Sequence, residues 1–151
     1  MNVTVICVGK LKEKFWVDAC GEYSKRLSRF CKLQVIELAE SKTDDSAEES
    51  KAILAAIEKL GKPYVVALDV GGKSISSEQL ADKISSLGVG GTSHICFVIG
   101  GSNGYTDDVR AAADFRLSFS AFTFPHQLMR VVLLEQIYRA FKINAGEKYH
   151  K

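Results

Sequence analysis

Apolar residues along this chain follow two alternating patterns. Short β-branched runs predict strands at 3–8, 33–38, 64–69, 94–99 and 115–118. Segments with apolar residues at every third or fourth position predict helices at 13–30, 46–60, 77–87 and 128–143, and a short helix follows Thr106. This alternation is typical of an α/β fold with a mainly parallel sheet and helices on both faces. Because 151 residues suit one core and no linker or repeat is visible, we expect a single domain over residues 1–151.

Polar residues and glycines set the predicted ends of the helices. Ser46 and Thr106 precede acidic first turns and are the predicted N-caps of their helices. Gly61 is predicted to end the second helix. Residues 71–74, Gly-Gly-Lys-Ser, lack the glycine that a phosphate-binding loop requires at position 67, which is Ala67. They are therefore predicted to form a flexible turn that borders a pocket.

The last helix is unusually apolar. Four consecutive apolar residues, Val131 to Leu134, are followed by Ile137, Tyr138, Ala140 and Phe141. A sheet covers only one stripe of a helix, so this helix must be buried on more than one side. The simplest second surface is another subunit related by a two-fold axis. The alternative is deep burial within one small domain.

Composition and charge narrow the function classes. A net charge of +2 is too small to indicate nucleic-acid binding by itself. A prediction of such binding therefore depends on where along the chain the charged residues lie. No apolar stretch is long enough for a membrane helix, and the N-terminus lacks a signal-peptide layout, so we expect a cytoplasmic protein. The four cysteines are widely spaced, which makes a zinc site unlikely, and Cys7 and Cys96 lie in apolar strand runs and are predicted to be reduced core residues. His94 and His126 have no carboxylate partner at helical spacing, and no metal site is predicted.

Two segments near the C-terminus carry candidate chemistry. A glycine loop follows the fourth strand, where Gly100, Gly101 and Gly104 allow a close backbone approach to a ligand. Spacing alone leaves a ligand site and a tight turn equally open. The chain then ends in a basic and aromatic tail, and cations also stand out on the last helix. They are Arg130, Arg139 and Lys142, followed by Lys148, Tyr149, His150 and Lys151. Such a tail suits looped RNA, and the alternative is a solvated, frayed terminus.

Several motifs occur in one order along the chain, and the ordered set is specific although each motif alone is weak. They are Val8-Gly9-Lys10-Leu11-Lys12-Glu13-Lys14, Val98-Ile99-Gly100-Gly101-Ser102-Asn103-Gly104, Leu117-Ser118-Phe119-Ser120, Thr123-Phe124-Pro125-His126-Gln127, Arg130-Val131, Glu135-Gln136-Ile137-Tyr138-Arg139-Ala140 and Tyr149-His150-Lys151. On these motifs, and over nearly its whole length, the chain resembles the ribosomal large-subunit pseudouridine methyltransferase H family of the trefoil-knot (SPOUT) class. The resemblance implies a C-terminal trefoil knot, which pattern alone would not predict because knots are very rare.

The resemblance also implies an activity and a cofactor. It implies S-adenosylmethionine-dependent methylation of N3 of a pseudouridine in 23S (large-subunit) ribosomal RNA, on the assembled 70S ribosome. It further implies a homodimer with the knot helices at the interface. The implied cofactor residues are Leu68, Gly100, Gly101, Phe119, Ser120, Ala121, Phe122, Thr123 and Phe124. Backbone groups of such loops can hydrogen-bond an adenine edge while apolar side chains sandwich the ring, and core packing is the alternative for the three phenylalanines.

The family uses its C-terminus beside the cofactor pocket, so the resemblance implies substrate contacts in the tail. We expect Tyr149 and His150 to place the uracil ring and Arg139 to position a phosphate or base. At position 148 the family commonly has proline or a small residue, and Lys148 is expected to leave the tail less rigid.

Two other functions fit parts of the sequence. A non-catalytic ribosome- or nucleotide-binding module on the same fold would bind its partner without consuming cofactor. A nucleotide-dependent oxidoreductase fits poorly, because the first strand ends in the single Gly9 where a dinucleotide fingerprint would begin.

Overall fold

The molecule is one five-stranded parallel sheet with helices on both faces, and the computed structural model describes all residues 1–151. The strands are β1 (Asn2–Val8), β2 (Lys32–Leu38), β3 (Tyr64–Ser74), β4 (His94–Ile99) and β5 (Phe115–Ser118). The helices are α1 (Lys14–Leu27), α2 (Ser46–Lys59), α3 (Ser77–Val89), α4 (Asp107–Ala112) and α5 (His126–Asn144). The strand order is β2-β1-β4-β3-β5 and every pair is parallel, which confirms the predicted α/β class.

The strands β1 and β4 are apolar along nearly their whole length, and helices cover both faces of the sheet there. Val3 to Val8 and Ile95 to Ile99 are all buried, as expected for strands with helices above and below them. Side chains of one face pack with α1, α3 and α5, and those of the other face pack with α2 and α4. The cysteines Cys7 and Cys96 lie in these two strands and are buried and unpaired, as predicted. With all strands parallel, their carboxyl ends share one edge, and the loops there can form a common cleft.

The apolar helix α5 is buried largely by its own chain. It packs against α1, α3 and β4, and Leu133, Leu134 and Ile137 are fully buried there. Val131 and Val132 stay half-buried. Six of its 19 residues are buried and most of the others are partly buried, so the chain itself covers one side of the helix fully and the rest in part.

Several predicted helix ends and caps differ from the structure by a few residues. The N-cap of α2 is Asp45, whose carboxylate accepts from the backbone N–H groups of Ala47 and Glu48, so Ser46 is the first helical residue rather than the cap. Thr106 precedes α4 as predicted but makes no side-chain capping bond. α1 ends at Leu27 instead of residue 30.

Residues 71–74 were predicted to form a flexible turn, and this prediction is wrong. They continue β3 as far as Ser74. After a bulge, Lys73 and Ser74 resume pairing with Leu117 and Ser118 of β5, so backbone hydrogen bonds to a neighbouring strand hold the segment extended. Separately, no helix of the chain combines the length and apolarity needed to cross a membrane.

Candidate functional site

A large cleft lies where β4 and β5 end, beside residues 68–70 of β3. It has a volume of about 830 Å³ and 20 lining residues, which is the size range of small-molecule and cofactor sites. Residues from these parts of the three strands and from the start of α5 line it. The carboxyl edge of a parallel sheet is also where α/β folds commonly bind ligands. Position and size together make this cleft the candidate site.

Eight of the nine predicted cofactor residues line the cleft. They are Leu68, Gly100, Gly101, Phe119, Ser120, Phe122, Thr123 and Phe124. Ala121 belongs to the same segment but does not line the cleft. The fold therefore brings together three stretches that are distant in sequence, and the predicted cofactor set forms one surface.

The glycine loop forms one wall of the cleft and tolerates no side chain at Gly100. A Cβ atom there would lie 2.8 Å from Cδ1 of Tyr105 and 3.2 Å from the backbone carbon of Gly104. The loop is closed by a 2.9 Å hydrogen bond from the N–H of Gly104 to the carbonyl of Gly101, and Gly104 has a φ of 70°. The lack of a side chain at position 100 is thus required by a tight turn that also lines the cleft.

Polar groups at the end of β3 form a tightly paired cluster that sequence reasoning missed. The carboxylate of Asp69 accepts from the Gly71 N–H at 3.0 Å, from Arg110 Nε at 3.0 Å and from Arg116 Nη1 at 3.4 Å. Burial opposes ionisation of Asp69, but these hydrogen bonds outweigh it and lower its pKa. Its position at the end of the predicted third strand, residues 64–69, was the available sequence signal.

The Tyr105 hydroxyl fixes the strand end beside this cluster. It donates a short hydrogen bond to the carbonyl of Leu68, one of the predicted cofactor residues. Burial raises the pKa of Tyr105 well above its ordinary value, so the hydroxyl stays protonated and remains a donor. Tyr105 thereby connects the glycine loop to β3.

The segment between β5 and α5 exposes large apolar side chains at the cleft. Phe122 is 77% exposed and Phe124 is 37% exposed, whereas Phe119 is partly buried and packs on the core. The alternative that these rings pack in the core is therefore wrong for Phe122 and correct in part for Phe119. Exposed aromatic rings beside a cleft are a feature of ligand-binding grooves.

His126 begins α5 and also lines the cleft. Its Nε2 lies 3.9 Å from Oε1 of Glu40, and its side chain is only 16% exposed. Burial lowers the pKa of His126 below its ordinary value, which leaves the ring neutral at physiological pH. The sequence predicts His126 to be a structural or pocket-rim residue at a helix start, and the structure places it in the lining of the cleft.

One turn further along α5, Arg130 is a structural residue and not an available RNA contact. It is only 4% exposed, and it donates from Nη1 to Glu37 Oε2 at 2.6 Å and from Nη2 to the carbonyl of Gly9 at 3.0 Å. Glu37 also accepts from the backbone N–H of Leu11 at 3.3 Å. Burial opposes ionisation of Glu37, but its hydrogen bonds with Arg130 and Leu11 outweigh it and lower its pKa. The pair joins β2 and the end of β1 to α5.

We expect Glu37→Gln to reduce the free energy of unfolding by about 2–3 kcal/mol, because it leaves the buried guanidinium of Arg130 without a counter-charge. Urea denaturation at fixed protein concentration measures this. Because the pKa of Glu37 is lowered by folding, its contribution is present above the unfolded value of about 4.3 and disappears as the pH falls through the folded value. The difference between wild type and variant should therefore shrink below about pH 4.

The matched control is Glu22→Gln, which removes an exposed carboxylate 3.9 Å from Arg26 on α1. Such surface pairs contribute little, and we expect a change below about 0.5 kcal/mol. Equal losses for the two variants, or a loss at Glu37 that does not depend on pH, would contradict the assigned role of the buried pair.

The three predicted substrate residues lie together, but away from the cleft. Arg139 Nε donates to Glu135 Oε1 at 2.8 Å, and Arg139 Nη1 lies 3.2 Å from Nδ1 of His150. The Tyr149 hydroxyl donates to the same Glu135 oxygen at 3.3 Å, and the Arg139 guanidinium lies 4.8 Å from the centre of the Tyr149 ring. None of these residues lines the cleft. We call Arg139, Tyr149 and His150 the tail cluster.

Side-chain pairs hold the C-terminal tail in place, so it is not the frayed terminus weighed as an alternative. His150 Nε2 lies 2.5 Å from Oε1 of Glu78 on α3. Glu147 pairs with Lys142 and also with Arg29 at 2.7 Å. Burial, together with the nearby Glu135 carboxylate, raises the pKa of Tyr149 to about 12, so its hydroxyl stays protonated.

Comparison with known proteins identifies relatives over the whole chain. A family described as "Predicted SPOUT methyltransferase" matches residues 1–150. The chain is 55% identical to a protein of Clostridium novyi (strain NT) and 54% identical to one of Bifidobacterium adolescentis, over 100% of both chains in each case. Both relatives are named "Ribosomal RNA large subunit methyltransferase H".

The fold is similar to that of solved methyltransferases. The crystal structure of tRNA (m1G37) methyltransferase from Aquifex aeolicus superposes with a TM-score of 0.60 at 13% identity, over 92% of this chain and 70% of that chain. A probable methylase family protein from Haemophilus influenzae Rd KW20 gives a TM-score of 0.57 at 14% identity, over 99% of this chain and 70% of that chain. These likenesses confirm the predicted knotted α/β architecture.

Proposed function

Because this chain belongs to the SPOUT methyltransferase family, we propose that it transfers a methyl group from S-adenosylmethionine to N3 of a pseudouridine in large-subunit ribosomal RNA. Membership of the family supports a methyltransferase that uses S-adenosylmethionine. The name shared by the full-length relatives supports ribosomal RNA as the substrate class. The pseudouridine, its N3 atom and the assembled 70S ribosome come from the resemblance in motifs.

The observation that carries the proposal is the cleft at the carboxyl edge of the sheet. Its volume of about 830 Å³ is large enough for a nucleoside-sized cofactor. The glycine loop supplies backbone groups that no side chain shields, and Phe122 and Phe124 supply exposed apolar surface for a purine ring. These residues fit S-adenosylmethionine, which supplies an electrophilic methyl group on a sulfonium sulfur when bound. The protein's contribution is to align that methyl group with the attacking nitrogen and to exclude water.

The tail cluster supports an active site shared between two subunits. Thirteen residues of α5 separate His126, in the cleft, from Arg139, which corresponds to about 20 Å of helix. Within one chain none of the three residues of the tail cluster lines the cleft. In the homodimer that we propose, the tail of one subunit lies beside the cleft of the other, where Tyr149 and His150 place the base and Arg139 positions it or a phosphate.

The direct test is methyl transfer from labelled S-adenosylmethionine to ribosomes that lack the modification. We expect label at N3 of a pseudouridine in the large-subunit RNA, with assembled ribosomes preferred over free large subunits. Nuclease digestion and mass spectrometry of the labelled nucleoside identify the methylated atom.

Two outcomes would contradict the proposal in different ways. Cofactor binding without label on ribosomal RNA would mean that the substrate is wrong. Ribosome binding with neither cofactor binding nor label would favour the non-catalytic binding module. A thermal-shift panel separates these cases from an oxidoreductase, since S-adenosylhomocysteine should stabilise the protein and NAD should not.

A further inference from the structure

The proposed reaction requires a group that removes a proton, and this inference rests on that reaction. The N3 lone pair forms a bond to the methyl carbon while the carbon–sulfur bond breaks and its electron pair returns to sulfur. N3 of a neutral uracil ring carries a proton, which must leave for the product to be neutral. A positioned base that takes this proton typically contributes about 10²- to 10⁴-fold in rate.

Four titratable side chains line the cleft, and three of them are unsuited to this task. They are Asp69, Tyr105, Arg110 and His126. Asp69 is held as an anion by two arginines and a backbone N–H, so it is a weak base. The Tyr105 hydroxyl is already a donor to Leu68, and its raised pKa keeps it protonated. Arg110 is always charged and has no acceptor. Among the groups that the chain forming the cleft supplies, His126 remains.

The surroundings of His126 suit a base that is neutral before the reaction and charged afterwards. The ring is mostly buried, and Glu40 lies 3.9 Å from its Nε2. Two other charged groups act on it: Glu49, which favours the protonated ring, and Arg130, which disfavours it. The Arg130 charge is compensated by Glu37 at 2.6 Å. A proton on His126 would therefore be stabilised by carboxylates, while burial keeps the ring neutral in the resting protein.

We propose that His126 is the general base that accepts the N3 proton, and that Glu40 passes this proton on to solvent. The proton moves from N3 to a ring nitrogen of His126 as the nitrogen–methyl bond forms, and the imidazolium is stabilised by the Glu40 carboxylate. Glu40 is suited to the second step because its side chain is 57% exposed, whereas that of His126 is 16% exposed. Water near Glu40 then receives the proton, and the ring returns to its neutral form.

The test is the pH dependence of methyl transfer to unmodified ribosomes by wild type and His126→Gln. For wild type we expect kcat/KM to fall at acidic pH, because His126 becomes protonated, and the fall should lie below the pH expected of an ordinary imidazole because burial lowers the pKa of His126. His126→Gln should lower kcat/KM by about 10²- to 10³-fold and lose this acidic limb. Affinity for S-adenosylhomocysteine should change far less than the rate. Imidazole added to His126→Gly should restore part of the activity.

The matched control is His94→Gln, which makes the same substitution at the opposite edge of the sheet, where His94 Nε2 lies 2.8 Å from the Thr4 hydroxyl. Its pH profile should keep the acidic limb of wild type. Glu40→Gln should shift that limb to lower pH, because it removes a carboxylate that raises the pKa of His126.

A titration of the wild-type protein by NMR covers the case in which a His126 variant does not fold. The chain has three histidines, so their ring resonances can be assigned by the His94 and Glu40 variants. A His126 resonance that titrates above pH 7 would overturn the proposal. An active His126→Gln variant with an unchanged pH profile would also overturn the role of His126 as the base. If the wild-type protein leaves ribosomes unlabelled, the proposed function itself is refuted.

Discussion

Gly100→Val is expected to lower the affinity for S-adenosylmethionine by at least about 100-fold, which corresponds to about 2.7 kcal/mol. A Cβ atom at this position would lie 2.8 Å from the Tyr105 ring and 3.2 Å from the backbone of Gly104. Neither neighbour can yield easily, since the Tyr105 hydroxyl is bonded to Leu68 and Gly104 closes the loop. The strain of such overpacking is relieved by moving the loop into the cleft, where it blocks the cofactor.

Calorimetric titration with S-adenosylhomocysteine measures this loss. Gly21→Val is the matched control, because a Cβ atom at Gly21 on α1 has no neighbour within 4 Å. We expect that variant to bind like wild type. Gly101→Val should show a smaller loss of about tenfold, because its Cβ atom would contact the side chain of Val8 at 3.1 Å and the loop can shift slightly. Unchanged affinity in Gly100→Val would refute the assignment of the cleft.

His150→Ala is expected to reduce methyl transfer to ribosomes by about 100-fold while leaving cofactor affinity unchanged, because the loss is in placing the base and not in binding the cofactor. His150 contacts Arg139, which lies about 20 Å along α5 from His126 in the cleft of the same chain. His94→Ala is the matched control, because His94 lies at the other edge of the sheet and should not affect transfer. Full activity of His150→Ala on ribosomes would exclude this role.

Mixed dimers test whether the tail acts on the partner's cleft. One subunit carries Gly100→Val and the other carries His150→Ala, with two affinity tags to isolate the mixed species. If the tail of one subunit completes the cleft of the other, one of the two sites combines an intact cleft with an intact tail. This dimer should keep about half of the wild-type rate, since one of two symmetric sites is intact.

The reverse arrangement is the control for the mixed dimer. When both substitutions are in one subunit and the partner is wild type, each site has one defect, and we expect activity near background. If each tail instead served its own cleft, the two dimers would show the opposite result. The pair of measurements therefore distinguishes a shared site from two independent ones.

Local patterns predicted most of the fold because each element is specified by its own residues. The apolar runs of β1 and β4 and the periodicity of α5 indicated the correct element types. Of the nine cofactor residues that the family resemblance implies, eight line one cleft. The predictions were wrong at helix ends and at one supposed turn, where the backbone conformation depends on contacts with other residues. Residues 71–74 contain two glycines and are turn-like by composition, but pairing with β5 extends them as strand.

What the sequence determined by itself is the class of the fold, the family and the stretches that form the site, because these follow from residue type and local order. Only the tertiary structure decided which charges are available. Arg130 is buried against Glu37, and Arg139 pairs with Glu135. His126 lines the cleft and His150 does not. Ion pairs between residues that are far apart in sequence, such as Glu37 and Arg130, depend on burial and distance. Burial and distance are set only when the chain folds, so composition cannot predict which charges form such pairs.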